Sequence, residues 1–311
     1  MGRRARDRFD AVDGLLLLDK PAGMTSNHAL QKVRRLLNAR KAGHTGALDP
    51  AATGMLPLCF GEATKVSSYL LDADKTYRVS AKLGIATDTA DAEGAEIDRA
   101  DVPELSRDEW TAVLEGFLGD SMQVPPMYSA LKKDGKRLYE LARKGEEVER
   151  EPRPIRIDEI ELLEIAGTRL VFRVRCSKGT YVRALVEDIA RKAGTVAHTA
   201  RLHRESVAGF ETAAMLDMGR IEALATQGRD NLRAQLIGAD VALGGLPEAR
   251  LDAAAEAARF VSGQEVDGPD GTDPGLVRVY GDAGEFLGVG ELGQHGRIAP
   301  KRVFSTGEKN P

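Results

Sequence analysis

The sequence predicts an α+β fold with one large and one small domain. Runs typical of β-strands are interspersed with segments whose apolar residues recur at helical spacing. The length of 311 residues exceeds the usual size of one domain, and residues 244–247 have the composition of a linker. We therefore expect a large domain over residues 10–245 and a small mixed domain over residues 246–311.

Seven segments have the pattern of β-strands. Residues 75–83 alternate strictly, so that Tyr77 and the other apolar side chains face one side and the polar ones face the other. The remaining segments are apolar runs bounded by Gly, Pro or charged residues, and the last two flank a Gly-Asp-Ala-Gly turn as a hairpin. The predicted strands are residues 15–18, 55–60, 75–83, 155–165, 169–176, 276–280 and 286–289.

Four segments are predicted to be helical. Thr25 and its neighbour can cap a first helix, and a capping box formed by Ser106 and Glu109 opens a second. A short third helix is expected over residues 138–144. The fourth covers residues 180–193 and ends at a glycine.

The composition is that of a globular protein, with 42% hydrophobic and 30% charged residues. No run of 18 apolar residues exists, so we expect no membrane span. Residues 1–9 are basic without the apolar stretch of a signal peptide and are expected to form a short disordered arm. Cys59 and Cys176 lie in apolar runs, which predicts buried free thiols in a reducing cytoplasm.

The net charge of −4 and the pI of about 5.9 argue against a nucleic-acid partner. The distribution of charge argues the other way, because residues 32–41 carry five basic groups and no acid. Repulsion from the weakly negative total is screened beyond about 8 Å at physiological salt. Residues 132–156 are also basic; by charge alone they are best interpreted as a solvated excursion. A local basic surface can therefore still bind phosphates.

Residues 43–54 (GHTGALDPAATG) form the most informative segment. They contain one acid, Asp49, among three glycines, a proline and small side chains. Such a segment cannot build much core, but its glycines let the chain turn sharply and let another molecule approach. An isolated Asp-Pro pair is usually only a turn. The composition of the whole segment favours a functional loop.

This loop and six further segments, in order over residues 13–304, resemble the TruB family of bacterial tRNA pseudouridine-55 synthases. The others are 18–26 (LDKPAGMTS), 61–65 (GEATK), 75–78 (KTYR), 123–132 (QVPPMYSALK), 176–183 (CSKGTYVR) and 296–302 (GRIAPKR). The resemblance implies a catalytic domain with a mixed, largely antiparallel central sheet flanked by helices. It also implies a small C-terminal PUA-like, β-rich RNA-binding domain. Residues 123–156 would be a mobile thumb that clamps the RNA stem-loop.

The resemblance further implies an isomerase that converts uridine to pseudouridine at position 55 in the T loop of tRNA. The reaction uses base flipping and an aspartate nucleophile and requires no cofactor or metal. The catalytic residues would be Asp49, Tyr77 and Arg183, with Arg183 paired to Asp49 by a bidentate contact. Attack on ribose C1′, attack on uracil C6 and removal of the 2′ proton remain open. The substrate-binding residues would be His44, Tyr181, Leu202 and Lys20, the last either supporting the loop or contacting phosphate.

Two other functions are compatible with this resemblance. One is a tRNA-binding or tRNA-folding protein without turnover, which the intact set of catalytic residues disfavours. The other is a guide-RNA-dependent, dyskerin-type synthase, which the long segment over residues 123–156 disfavours. Nucleotide-binding motifs are absent in any suitable context, and the five histidines form no metal-ligand pattern. We expect a cytoplasmic monomer that binds the T arm of tRNA without a guide RNA or a membrane.

Overall fold

The computed structural model describes residues 9–129, 131–133, 135–142, 144–269 and 273–304. The predicted N-terminal arm, apart from Phe9, lies outside the described residues, as do Asp134 of the predicted thumb turn and the last seven residues of the small domain.

The described chain contains both strands and helices, as an α+β fold requires. The strands are β1 Gly14–Lys20, β2 Ala42–His44, β3 Thr53–Phe60, β4 Lys75–Leu83, β5 Ile85–Thr87, β6 Glu96–Arg99, β7 Gly119–Gln123, β8 Lys132–Lys133, β9 Lys136–Arg137, β10 Arg153–Ala166, β11 Arg169–Cys176, β12 Ala197–Val207, β13 Leu216–Asp217, β14 Glu248–Arg250, β15 Val266–Asp267, β16 Gly275–Tyr280, β17 Phe286–Leu292 and β18 Arg297–Val303. The α-helices are α1 Ser26–Leu37, α2 Ser67–Asp72, α3 Arg107–Glu115, α4 Leu138–Ala142, α5 Val182–Lys192, α6 Met218–Gln227, α7 Arg229–Arg233 and α8 Ala254–Val261. Short 3-10 helices occupy Gly61–Val66, Thr212–Ala214 and Val241–Leu243.

Nine strands form the central sheet. Their order is β13-β1-β3-β12-β4-β11-β10-β7, and β2 pairs with β3 beside this path. The β1–β13 and β3–β12 pairs are parallel, and the other pairs are antiparallel. The predicted mixed, largely antiparallel sheet is therefore confirmed.

Helices cover two parts of this sheet. Helix α1 starts at its cap Thr25, whose hydroxyl accepts the His28 N–H, and buries Leu30 and Val33 against β1 and β3. Helix α3 has the predicted capping box and places Trp110 in the core that β4 and β11 share with α5. Strand β12 lies between the two parts, and its Leu202 lines a pocket together with residues of α5.

Five strands form a second sheet in the order β14-β16-β17-β18-β15, and the predicted hairpin is its β16–β17 pair. This sheet and helix α8 enclose a separate core around Phe260 and Val277. A further cluster joins the two parts of the chain, because Val289 and Phe304 pack with Cys59 of β3. The Lys65 ammonium also donates to the Val303 carbonyl at 2.7 Å.

All seven predicted strands lie within observed ones, and both cysteines are buried free thiols. The fourth predicted helix begins two residues late, because Tyr181 is extended and only caps α5. Helix α4 ends at Ala142, and the next residue lies outside the described residues. Strand β12 was not predicted. Among the described residues, no helix combines the length and hydropathy that a bilayer span requires.

Candidate active site

The loop between β2 and β3 carries Asp49, and the residues around it hold the loop in place. The Ser26 hydroxyl at the start of α1 accepts the Leu48 N–H at 2.8 Å and donates to the Leu48 carbonyl at 3.0 Å. After the loop, Gly54 pairs with Arg204 of β12. A Cβ at position 54 would lie 2.3 Å from the Arg204 carbonyl oxygen, so only glycine fits. These contacts fix the carboxylate-bearing segment from both sides.

Lys20, at the end of β1, lies beneath this loop and is fully buried. Its ammonium donates to the backbone carbonyls of Met24, Pro21 and Pro50 at 2.7, 2.9 and 3.2 Å. Burial lowers the pKa of Lys20 to about 8, and the carboxylate of Asp49 opposes this shift. The three ammonium protons thus have backbone acceptors on both sides of the loop, and contact of Lys20 with a phosphate stays a prediction.

Arg183, the second residue of α5, forms an ion pair with Asp49. Its Nε lies 3.1 Å from Asp49 Oδ2, with the arginine side chain 7% exposed and the aspartate side chain 46% exposed. The two terminal nitrogens donate to the carbonyls of Thr89 at 2.9 Å and Tyr128 at 2.7 Å. Asp49 thus contacts the guanidinium at Nε while each terminal nitrogen also donates to a carbonyl, and the bidentate pair stays a prediction.

Asp91 is a second acid at this guanidinium that the sequence analysis missed. Its Oδ2 lies 3.5 Å from an Arg183 terminal nitrogen, and its Oδ1 accepts the Thr89 hydroxyl and the Glu93 N–H. The buried cation therefore faces two carboxylates, of which only Asp49 is substantially exposed. Nothing local in the sequence distinguishes Asp91 from its acidic neighbours.

A pocket of about 130 Å³ brings together five of the seven residues predicted for the site. Leu202 of β12 and Tyr181, which caps α5, form part of its wall. The five residues are Asp49, Tyr77, Tyr181, Arg183 and Leu202. Burial raises the pKa of Tyr77 and of Tyr181, so both phenols are neutral at physiological pH. The pocket thus combines two aromatic rings, one exposed carboxylate and one buried guanidinium.

Arg204 is a second residue that the sequence analysis missed. It is 1% exposed in the middle of β12 and donates to the carbonyl of Met55 at 2.7 Å and of Gly46 at 2.9 Å. Its positive charge opposes the rise in the pKa of Tyr77 that burial causes. Arg204 thereby connects the floor of the pocket to the loop that carries Asp49.

His44 does not line the pocket. It ends β2, opposite Leu58 of β3, and its Nδ1 is buried without a hydrogen-bond partner among the described residues. Burial, and secondarily the charge of Arg204, lower the pKa of His44, so the ring is neutral at pH 7. The structure places His44 near the base of the loop, and its contact with RNA stays a prediction.

Some basic side chains of residues 32–41 are less available to bind phosphates than the composition of the segment suggests, because they already contact protein groups. Lys32 forms an ion pair with Glu222 of α6. Arg34 donates to the carbonyls of Ala39 at 3.0 Å and Arg40 at 2.9 Å.

Among the described residues no group of three or more His, Cys, Asp or Glu side chains is arranged to hold a metal.

Comparison with known proteins assigns this arrangement to a family. Residues 34–182 match the family described as TruB family pseudouridylate synthase (N terminal domain), and residues 247–304 match pseudouridine synthase II TruB, C-terminal. A protein of Stutzerimonas stutzeri (strain A1501) named tRNA pseudouridine synthase B is 50% identical over 98% of this chain and 99% of its own length. The chain belongs to the TruB family. A protein of the same name from Tolumonas auensis is 46% identical over 100% of this chain and 98% of its own length.

Solved structures share the fold of this TruB-family chain at lower identity. A chain in "Crystal Structure of a Cbf5-Nop10-Gar1 Complex" is 25% identical with a TM-score of 0.72, covering 94% of this chain and 85% of that one. A chain in "Structure of H/ACA RNP bound to a substrate RNA containing 2'-deoxyuridine" is 25% identical with a TM-score of 0.73, covering 96% and 87%. Both neighbours agree with the α+β architecture described above.

Proposed function

We propose that this TruB-family isomerase converts uridine 55 in the T loop of tRNA to pseudouridine, with Asp49 as the nucleophile. Isomerisation of uridine in tRNA follows from family membership and from relatives of about 50% identity that bear that name. The T-loop position and the role of Asp49 are our proposal. The observation that carries it is the ion pair of Asp49 with the buried Arg183 at the mouth of a base-sized pocket.

The chemistry breaks the N1–C1′ bond, turns the uracil and forms a C5–C1′ bond. A proton leaves C5 and one is gained at N1, so no redox partner is needed. Arg183 contacts the Asp49 carboxylate and orients it for attack on C1′ or C6, or for removal of the 2′ proton. Tyr77 stacks on the flipped base, a contact worth about 1–3 kcal/mol, and in this proposal its hydroxyl assists removal of the C5 proton. Tyr181 and Leu202 close the sides of the pocket.

The small C-terminal sheet acts, in this proposal, as a PUA-like RNA-binding domain, and residues 123–156 act as the thumb. The thumb segment begins beside the pocket, because its Tyr128 carbonyl accepts from Arg183 and its Gln123 contacts Tyr181. We further propose that the protein works without a guide RNA, as a monomer, in the cytoplasm. The higher identity to proteins named tRNA pseudouridine synthase B than to a chain of a Cbf5-Nop10-Gar1 complex supports this choice.

The deciding experiment incubates the purified protein alone with an unmodified T-arm stem-loop and maps pseudouridine at each nucleotide. We expect modification at position 55 only, and none with Asp49→Asn. Binding without turnover would instead support a tRNA-folding protein. Turnover only after addition of another RNA would support guide dependence. Size-exclusion chromatography with light scattering of the free protein and of its RNA complex tests the monomer.

A further inference from the structure

A second and larger cleft, of about 950 Å³, runs along the polar side of β4 where β11 and β12 flank it. It begins at Ala51 in the Asp49 loop and at Leu202, which also lines the catalytic pocket. Small residues, including Ala22 and Ala200, line it near this opening. The cleft therefore adjoins the active site at Leu202, although Tyr77 and Arg78 point to opposite faces of β4, and its basic residues have no role in the chemistry proposed above.

The walls of this cleft are strongly basic. Five basic residues line it against the single acid Glu164, and these residues are Arg78, Lys82, Arg169, Arg201 and His203. Glu164 is already engaged by Arg169. Lys82 donates to the neutral Thr168 hydroxyl at 2.7 Å and has no counterion among the described residues. The exposed Arg78 and Arg201 have no ion-pair partner in the described part of the chain.

The neighbouring part of the same sheet face shows that the excess of positive charge is local to the cleft. Arg173 lies directly opposite Arg78 in the β4–β11 register, but its guanidinium contacts Glu205 at 2.8 Å and Glu161 at 3.0 Å. Arg175, two residues further, contacts Glu159 at 3.2 Å. Acids therefore neutralise both arginines beside the cleft, whereas Arg169 is the one arginine within it that has such a partner among the described residues. Like charges on adjacent strands repel, so the unpaired group is suited to a bound polyanion.

The sheet geometry fits an extended polyanion better than a single small anion. Arg78 and Lys82 lie four residues apart on one strand, about 13 Å at the usual rise. Arg201 lies opposite Ser80, midway between them, on the adjacent strand β12. The basic side chains thus follow the strand direction away from the catalytic pocket. The thumb segment, in contrast, contacts the pocket directly, because its Tyr128 carbonyl accepts a hydrogen bond from Arg183 of α5.

We propose that this cleft binds the phosphodiester backbone of the substrate tRNA outside the T arm. The inference rests on the proposed function, because it takes the T arm to lie between the pocket and the thumb segment. The remainder of the tRNA then leaves the active site past Leu202 and meets Arg78, Lys82 and Arg201. This surface distinguishes a complete tRNA from an isolated stem-loop, and its charge explains how a chain of net charge −4 holds RNA.

The test compares the triple variant Arg78→Gln/Lys82→Gln/Arg201→Gln with the control Arg173→Gln/Arg175→Gln, whose arginines lie on the same face but are paired with acids. Dissociation constants for unmodified full-length tRNA and for the T-arm stem-loop are measured at several salt concentrations. We expect the triple variant to bind full-length tRNA about tenfold more weakly at low salt. The salt slope should fall by about two to three, one unit for each phosphate that the variant no longer binds. Stem-loop affinity and turnover should stay within about twofold, as should all values for the control.

Equal losses for both RNAs would show that the cleft contacts the T arm itself and would overturn the proposal. Unchanged binding of full-length tRNA by a folded triple variant would also overturn it, with folding checked by circular dichroism. An Arg78→Lys/Arg201→Lys variant, which keeps both charges, should restore most of the affinity. Absence of stem-loop turnover by the wild-type protein would refute the proposed function separately, since the affinity comparison does not depend on turnover.

Discussion

Gln123 and Tyr181 are joined by a reciprocal pair of hydrogen bonds. The Gln123 side-chain oxygen accepts the Tyr181 N–H at 2.8 Å, and its amide nitrogen donates to the Tyr181 carbonyl at 3.1 Å. Gln123 is 4% exposed at the end of β7, where the thumb segment begins. Tyr181 caps α5 and lines the pocket. One buried amide thus fixes the position of a pocket ring relative to the base of the thumb.

Replacing Gln123 by Leu should reduce turnover more than RNA binding. The change leaves the Tyr181 N–H without a buried partner and loosens the ring, so we expect kcat to fall about tenfold, or about 1.4 kcal/mol. Single-turnover kinetics on saturated stem-loop measure the effect. The neighbouring Met122 is 63% exposed, and Met122→Ala serves as the control. A Leu variant with normal kcat would show that Tyr181 is held by its own packing.

Replacing Asp49 by Asn should abolish turnover while preserving the fold and RNA affinity. Arg183 keeps its two carbonyl acceptors and Asp91, so the guanidinium does not become an unpaired buried charge. We expect a rate loss of at least about 10³-fold, as for removal of a nucleophile, and a thermal midpoint close to that of wild type. Product formation at a near-normal rate would exclude Asp49 as the nucleophile.

Two replacements of Tyr77 separate stacking from proton transfer. Tyr77→Phe keeps the ring in the pocket, so RNA affinity should be near normal while the reaction stalls after glycosidic cleavage. Tyr77→Ala should in addition weaken stem-loop binding by about 1–3 kcal/mol. Trapped intermediates and dissociation constants are measured for both variants. Normal product formation by the Phe variant would limit Tyr77 to stacking.

Replacing Arg183 by Lys should lower both activity and stability. An ammonium cannot reach Asp49 and the carbonyls of Thr89 and Tyr128 together, because it lacks the planar fork of a guanidinium. We expect a large fall in kcat and a loss of about 1–3 kcal/mol in unfolding free energy from the buried acceptors left unpaired. Kinetics and denaturant titration report the two effects. Wild-type activity in the Lys variant would show that charge alone suffices.

The sequence predicts those elements whose pattern is local. The strict alternation of β4 places Tyr77 on the buried face, and the structure confirms this. The capping box at Ser106 also appears as predicted. The site residues could be grouped only through the family resemblance, because Asp49, Tyr77 and Leu202 lie on different strands and loops. Their common pocket depends on sheet order, which periodicity alone does not determine.

What the sequence does not predict depends on long-range burial of polar groups. Strand β12 carries Thr199 and Arg204 as buried residues, so its apolar alternation is interrupted although it lies in the middle of the sheet. Lys20 is buried because three carbonyls, one of them from the distant Pro50, accept its protons. Such partners come from segments far apart in the chain, and no local spacing indicates them.

The contact between the two parts of the chain leads to the last prediction. Phe304 is 7% exposed and packs in one cluster with Cys59 and Val66 of the large domain. Phe304→Ala should therefore destabilise the large domain as well as the small one, by about 3–5 kcal/mol if the cavity does not collapse. The single tryptophan, Trp110, is buried in the large domain and reports on that domain alone.

In a denaturant titration followed by Trp110 fluorescence, Phe304→Ala should unfold with a midpoint at a lower denaturant concentration than the wild type. The control Leu276→Ala lies in the small domain at 36% exposure and should leave the Trp110 midpoint nearly unchanged. An unchanged midpoint in the Phe304 variant would mean that the two domains unfold independently. If the two domains unfold together, deletion of residues 246–311 would also destabilise the large domain, because it removes Phe304 from the shared cluster. Surface charge variants, rather than deletion, would then be the sound test of what the small domain contributes to RNA binding.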